Sequence, residues 1–142
     1  MRYTKGFTLI EILMVITIIG ILASVVLASL NIARNKSADA LIIQTVTNMR
    51  AEAELFYDDS GSYLDMCDAA TILGALDRVS STNGGVVTCV DGGDVSEKWA
   101  IEARLVVSTD EYYCVDNSGV SETYVGSTVS SSSGSEDGVC GP

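Results

Sequence analysis

Lys5-Gly6-Phe7-Thr8-Leu9-Ile10-Glu11 (KGFTLIE) stands at the head of an unbroken apolar run, and Glu11 is the only charge between Phe7 and Leu30. Those 24 residues exceed the roughly 20 that span a hydrocarbon layer as a helix. A carboxylate inside such a segment is costly and marks a functional position by default.

Three readings of the run compete. A cleaved secretory signal fits the small residues near Val26-Leu27-Ala28. Yet the stretch outlasts an ordinary signal core of about 7–15 residues and carries Glu11. A plain single-span anchor fits the length, and Arg2 and Lys5 would hold the N-terminus in the cytoplasm. It gives Glu11 nothing to do, although a mid-span carboxylate costs about 2.5–3.5 kcal/mol.

The third reading uses every residue of the quoted stretch. A short basic leader, Gly6, then Phe7-Thr8-Leu9-Ile10-Glu11 resembles the class III signal of type IV pilins and pseudopilins. The resemblance covers the leader and the helix that follows. It implies cleavage between Gly6 and Phe7 by a prepilin peptidase and N-methylation of the new Phe7 amine. It also implies that Glu11 of one subunit pairs with the amine of a neighbour, with Thr8 adding a hydrogen bond or capping the helix. In lipid both lone charges are penalised, so pairing relieves two penalties at once. A staggered pair of this kind is a heterologous, non-closing contact, which builds a helical filament.

Beyond Leu30 the collar Asn31-Ile32-Ala33-Arg34-Asn35-Lys36 is polar, and a helical pattern resumes. Ala38, Ile42, Val46, Met49, Ala53 and Phe56 recur at spacings of three and four, one apolar stripe. The only proline is Pro142, so one helix is expected from about Phe7 to Tyr57, ending at Asp58-Asp59-Ser60-Gly61-Ser62. In its first half Gly20, Ala23, Ser24, Ala28 and Ser29 would let neighbouring helices approach. Many relatives in the resembled family carry a proline near position 28. This chain has Ala28, so local melting near Gly20 rests on the glycine alone, which weakens a helix by about 1 kcal/mol against Ala.

Residues 64–83 read as a connecting loop with room for a short helix at Ala69–Leu76. In Trp99–Val107, Trp99, Ile101, Ala103, Leu105 and Val107 alternate with Glu102 and Arg104, a strand with one face on a core and the other in solvent. Gly85–Val90, Glu111–Val115 and Ser121–Val125 are further strands, the last two joined by a turn at Asp116-Asn117-Ser118-Gly119. A sheet of three or four antiparallel strands would cover the helix stripe, since neither buries its apolar face alone.

The expected fold class is therefore α+β, of the type IV pilin kind. A long N-terminal helix packs on a C-terminal antiparallel sheet, with a disulfide-closed C-terminal loop. The expected segments are a leader at 1–6, an apolar assembly half at 7–30, an amphipathic half at 31–58 and a β head at 59–142.

Net charge is −11, and it is unevenly placed: residues 37–142 hold 18 acids against Arg50, Arg78, Lys98 and Arg104. Such a head repels phosphate backbones, so no nucleic-acid partner is expected. Four cysteines, Cys67, Cys89, Cys114 and Cys140, all lie beyond the apolar run and point to an oxidising compartment with two disulfides. Of three possible pairings, the one between neighbours along the chain is Cys67–Cys89 with Cys114–Cys140. The second of these matches the C-terminal disulfide loop of the resembled family. Each loop is worth about 3 kcal/mol by loop entropy and would staple the Ser/Gly-rich stretch Gly126–Asp137.

Asp91-Gly92-Gly93-Asp94 and Asp58-Asp59 lack the spacing of a calcium loop, and no metal or cofactor is expected. With no histidine and no nucleophile–base pair, no enzyme is expected either. The resemblance implies a major pilin, a homo-oligomeric helical filament whose precursor waits in the cytoplasmic membrane. A pseudopilin or minor pilin of a secretion or DNA-uptake machine is the alternative. An assembly ATPase and a platform protein are the implied partners, and surface attachment and motility are the implied roles.

Overall fold

The computed structural model describes residues 6–91, 97–129 and 139–141. The chain divides into two compact units, Met1–Arg34 and Asn35–Pro142. Helix α1 (Leu9–Ser60) contributes to both. In the first unit its side chains are exposed throughout, and it is long and apolar enough to cross a membrane. Its hydroxyls are satisfied within the helix. Thr17 Oγ1 donates to the Met14 carbonyl (2.8 Å), Ser24 Oγ to Ile21 (2.8 Å) and Ser29 Oγ to Val25 (3.1 Å). That is the condition for a helix to sit in hydrocarbon.

In the second unit the apolar stripe becomes the floor of a core. Ile42, Val46, Met49 and Ala53 are buried, while Ala38 and Phe56 at its ends are half-buried. The helix stops within the expected cluster Asp58-Asp59-Ser60-Gly61-Ser62, at Ser60. It ends where Gly61 (φ 75°) donates its N–H to the Tyr57 carbonyl at 2.7 Å. A left-handed residue closes the last turn there, and glycine adopts it without strain.

A 3-10 turn (Met66–Asp68) leads into helix α2 (Ala70–Asn83). This extends the short helix expected at Ala69–Leu76 by seven residues at its C-terminal end and corrects the expectation of loop over residues 77–83. The run Ser80-Ser81-Thr82-Asn83 is a weak helix former whose side chains compete for backbone partners. Here Ser81 Oγ and Thr82 Oγ1 both donate back to the Arg78 carbonyl, and Ile72, Ala75 and Val79 are buried. Packing of that stripe overrides the propensity, and Gly84 (φ 80°) caps the end.

Four strands follow as an antiparallel meander, β1 (Val87–Val90), β2 (Ala100–Arg104), β3 (Glu111–Asp116) and β4 (Ser121–Val125), in the order β1-β2-β3-β4. Both β1 and β2 are shorter than the expected Gly85–Val90 and Trp99–Val107. Trp99, Ile101, Ala103 and Leu105 face the helices together with Tyr113 and Val115. Three side chains of α1 make polar ties to the sheet and to the loops that join its strands. Asp39 Oδ1 accepts the Val106 N–H at 2.5 Å, Thr47 Oγ1 meets the Tyr113 hydroxyl at 3.0 Å, and Arg50 Nη2 donates to the carbonyls of Asp116 (3.2 Å) and Val120.

The outer face of β2 overturns one expectation. Glu102 does not face solvent: it is 1% exposed. Residues 127–129 cross that face, and Val129 and Cys140 pack with Ala100 and Cys114 in a second, smaller core. Nothing local in the alternating strand pattern reports a cover supplied from twenty-five residues downstream. Of the Ser/Gly-rich stretch, residues 130–137 lie outside the described residues, as do Gly92, Gly93 and Asp94 of the acidic turn.

Tyr63, buried beside Trp99, donates its hydroxyl to Glu54 Oε1 (3.1 Å) and Oε2 (3.0 Å). Burial first, and then the Glu54 carboxylate, push its phenol above the usual range. The folded head thus holds that proton more tightly than the unfolded chain. The stability this contributes is complete below the ordinary phenol value of about 10 and is lost as pH rises through the folded value. Thermal melts should fall steeply above about pH 10, and Tyr63→Phe should remove part of that slope.

Candidate functional site

The residues of the opening motif lie together because they are contiguous at a helix start. Thr8 occupies the N-cap position and Glu11 the third helical position. Their groups close reciprocally. The Glu11 N–H donates to Thr8 Oγ1 at 3.3 Å, and Glu11 Oε2 accepts the Thr8 N–H at 2.8 Å and the Thr8 hydroxyl at 2.7 Å. This is a capping box, which satisfies orphan amides at a helix start. The carboxylate also sits at the positive end of the helix dipole.

Oε2 is therefore committed within the chain, whereas Oε1 has no hydrogen-bond partner among the described residues. Gly6 and Phe7 precede the helix, and Phe7 is 79% exposed. A side chain at Gly6 would meet nothing within 4 Å in this chain, so nothing in the fold requires glycine there. Around the box Leu9, Ile10, Ile12, Leu13 and Met14 are all exposed. Gly20, with the other small residues of this half, lies on continuous helix with open space beside it.

Thr8→Val keeps the shape of Thr8 and removes its hydroxyl. Loss of the N-cap should cost the helix start about 1 kcal/mol. Hydrogen exchange of the first-turn amides should speed up by about fivefold, and Thr8→Ser should restore their protection.

Both disulfides belong to the second unit. Cys67 is bonded to Cys89, with Cα atoms 5.9 Å apart, and Cys114 to Cys140 at 5.8 Å. The first ties the 3-10 turn to β1, and the second ties the C-terminal segment to β3. Asp58 and Asp59 are exposed on the last turn of α1. Among the described residues no group of three His, Cys, Asp or Glu side chains is placed to hold a metal.

Sequence reasoning misses the two buried acids, Glu102 and Asp116, and the anchoring role of Arg50. It marks Asp116 only as the first residue of a turn. That turn signal is sound: Asp116 Oδ1 accepts the N–H groups of Ser118 (2.9 Å) and Val120 (3.1 Å). Its burial depends on Cys140, which is remote in sequence.

Residues 1–27 match the family model of the prokaryotic N-terminal methylation motif. Over 88 residues the chain is 34% identical to the type IV wide pilus major component PilA4 of Thermus thermophilus, an overlap of 62% of this chain and 67% of that protein. No solved structure matches.

Proposed function

The chain belongs to the type IV pilin family, and on that premise we propose that it is a major pilin, the repeating subunit of a surface filament. Residues 1–6 are the leader, cut off between Gly6 and Phe7 by a prepilin peptidase that then methylates the Phe7 amine. Residues 7–30 hold the precursor in the cytoplasmic membrane with the head outside. An assembly ATPase and a platform protein lift it into the fibre.

The single observation that carries this reading is the half-used carboxylate of Glu11. Its Oε2 is held by Thr8, its Oε1 has no hydrogen-bond partner among the described residues, and it lies four positions beyond Phe7. In lipid the new ammonium of a neighbour at that oxygen would neutralise both charges. The capping box fixes the carboxylate's direction beforehand, which lowers the ordering cost of the pair. The amine must approach from a copy displaced along the axis, so the same contact repeats without closing.

Two further features support the major-subunit reading. The relative's name calls it a major component, and the C-terminal region here is stapled by Cys114–Cys140. The test is electron microscopy of sheared cell surfaces with an antibody against the head. Long fibres labelled along their length are the expected result. Label confined to fibre tips, or no fibres together with a secretion defect, would assign the chain to a minor pilin or pseudopilin instead.

A further inference from the structure

Glu102 and Asp116 are carboxylates buried on the outer face of the sheet, 1% and 0% exposed. The cost of burying each is met by N–H and O–H donors, most of them from the C-terminal segment. Glu102 Oε1 accepts the Ser127 hydroxyl at 2.6 Å. Glu102 Oε2 accepts the Thr128 N–H (2.6 Å), the Thr128 hydroxyl (3.0 Å) and the Val129 N–H (3.2 Å). Asp116 Oδ1 is occupied by its own turn, and Oδ2 accepts the Cys140 N–H at 2.8 Å.

The register brings these groups into one row. Cys114 lies directly across from Glu102, and Asp116 lies two residues further along the same strand, on the same face. The half-cystine is thus flanked by the two carboxylates that grip the segment bearing its partner.

Loop closure alone does not select that partner. Cys89 and Cys114 are 25 positions apart (114 − 89), against 26 for Cys114 and Cys140, so their closure entropies are alike. What separates them is the face of the sheet. Cys89 sits opposite Ile101 and packs against the main core, whereas Cys114 and Cys140 belong to the outer core.

We propose that Glu102 and Asp116 form a seat that docks the C-terminal segment before oxidation and so determines that Cys114 pairs with Cys140. The oxidant is an external low-molecular-weight disulfide. Attack by one thiolate forms a mixed disulfide and releases one external thiol. The second cysteine, held beside it by the seat, then attacks the protein sulfur and expels the other. Overall two protein thiols become one disulfide and the external disulfide becomes two thiols, a balanced two-electron exchange. This inference does not depend on filament formation.

The test uses the full chain in detergent, reduced, unfolded and refolded in a glutathione redox buffer, with disulfides mapped by peptide mass spectrometry. Wild type should give Cys114–Cys140 as the dominant bond of Cys114. In Glu102→Gln/Asp116→Asn its ratio to free or mispaired Cys140 should fall at least about tenfold, because several charge-assisted hydrogen bonds are lost. Because mispairing onto Cys89 would consume Cys67–Cys89, wild-type helix and strand content by circular dichroism reports that the head still folds. An unchanged ratio would overturn the proposal. Should the double variant fail to fold, Cys114→Ser/Cys140→Ser decides by hydrogen exchange. Its Thr128 and Val129 amides should stay protected at least about tenfold over an open chain, and less so when Glu102→Gln is added. Free exchange of those amides without the disulfide would equally overturn it.

Discussion

Glu11→Ala is expected to abolish the fibre while leaving the subunit in the membrane. Removing the carboxylate spares the apolar segment an insertion cost, smaller than the about 2.5–3.5 kcal/mol of a charge at the helix centre because Glu11 stands in the first turn, so insertion proceeds as before or more readily. On the proposed pairing, assembly loses the carboxylate that offers a neighbour's ammonium a partner in hydrocarbon. An amine buried without that partner costs several kcal/mol, and every kcal/mol is multiplied along a fibre of repeating contacts. Glu11→Gln separates the two roles of the side chain. Glutamine at the third helical position still closes a capping box with Thr8 but carries no charge. Fibre loss in both variants, with normal membrane levels by immunoblot, is the expected outcome. Normal fibres from Glu11→Gln would show that Glu11 acts only as a helix cap.

Trp99→Ala should be the most damaging single change in the head. Trp99 is fully buried immediately before β2 and meets Tyr63 edge-on, ring centroids 6.3 Å apart. Truncating a buried aromatic of this size costs about 3–5 kcal/mol. At roughly 4–8 °C per kcal/mol for a domain near 100 residues, the thermal midpoint should drop by about 12 °C or more. Circular dichroism of the full chain in detergent measures it without a tryptophan signal. Trp99→Phe is the informative contrast. Trp99 Nε1 is buried and makes no hydrogen bond of good geometry among the described residues, although it lies near enough to the Tyr63 hydroxyl to oppose part of the rise in that phenol's pKa. Phenylalanine removes that poorly paired donor and keeps most of the buried ring, so the cost should stay well below that of alanine. An alanine variant as stable as wild type would mean that this face of β2 does not hold the head together.

What was legible in the sequence was what is local. The motif from Gly6 to Glu11 is contiguous, so its geometry follows once a helix begins at Leu9. The stripe of Ile42, Val46, Met49 and Ala53 needs only the helical period, and the hairpin between β3 and β4 needs only Asp116, Ser118 and Gly119. The C-terminal half of helix α2, beyond the short helix expected at Ala69–Leu76, was hidden because Ser80-Ser81-Thr82-Asn83 argues for a loop until Val79 finds a core to enter. Glu102 was placed in solvent because alternation distinguishes two faces but not whether the second is covered. Its cover, residues 127–129, comes from a stretch whose composition reads as a loose loop. In both cases a non-local contact outweighed the local preference.

The most direct measurement is the intact mass and N-terminal sequence of the chain in the sheared extracellular fraction. The expected species begins at Phe7, carries one added methyl group on its amine, and is recovered from fibres. A chain that begins after Ala28, retains Met1–Gly6, or is never found outside the membrane would contradict the pairing of Glu11 with a neighbour's new amine.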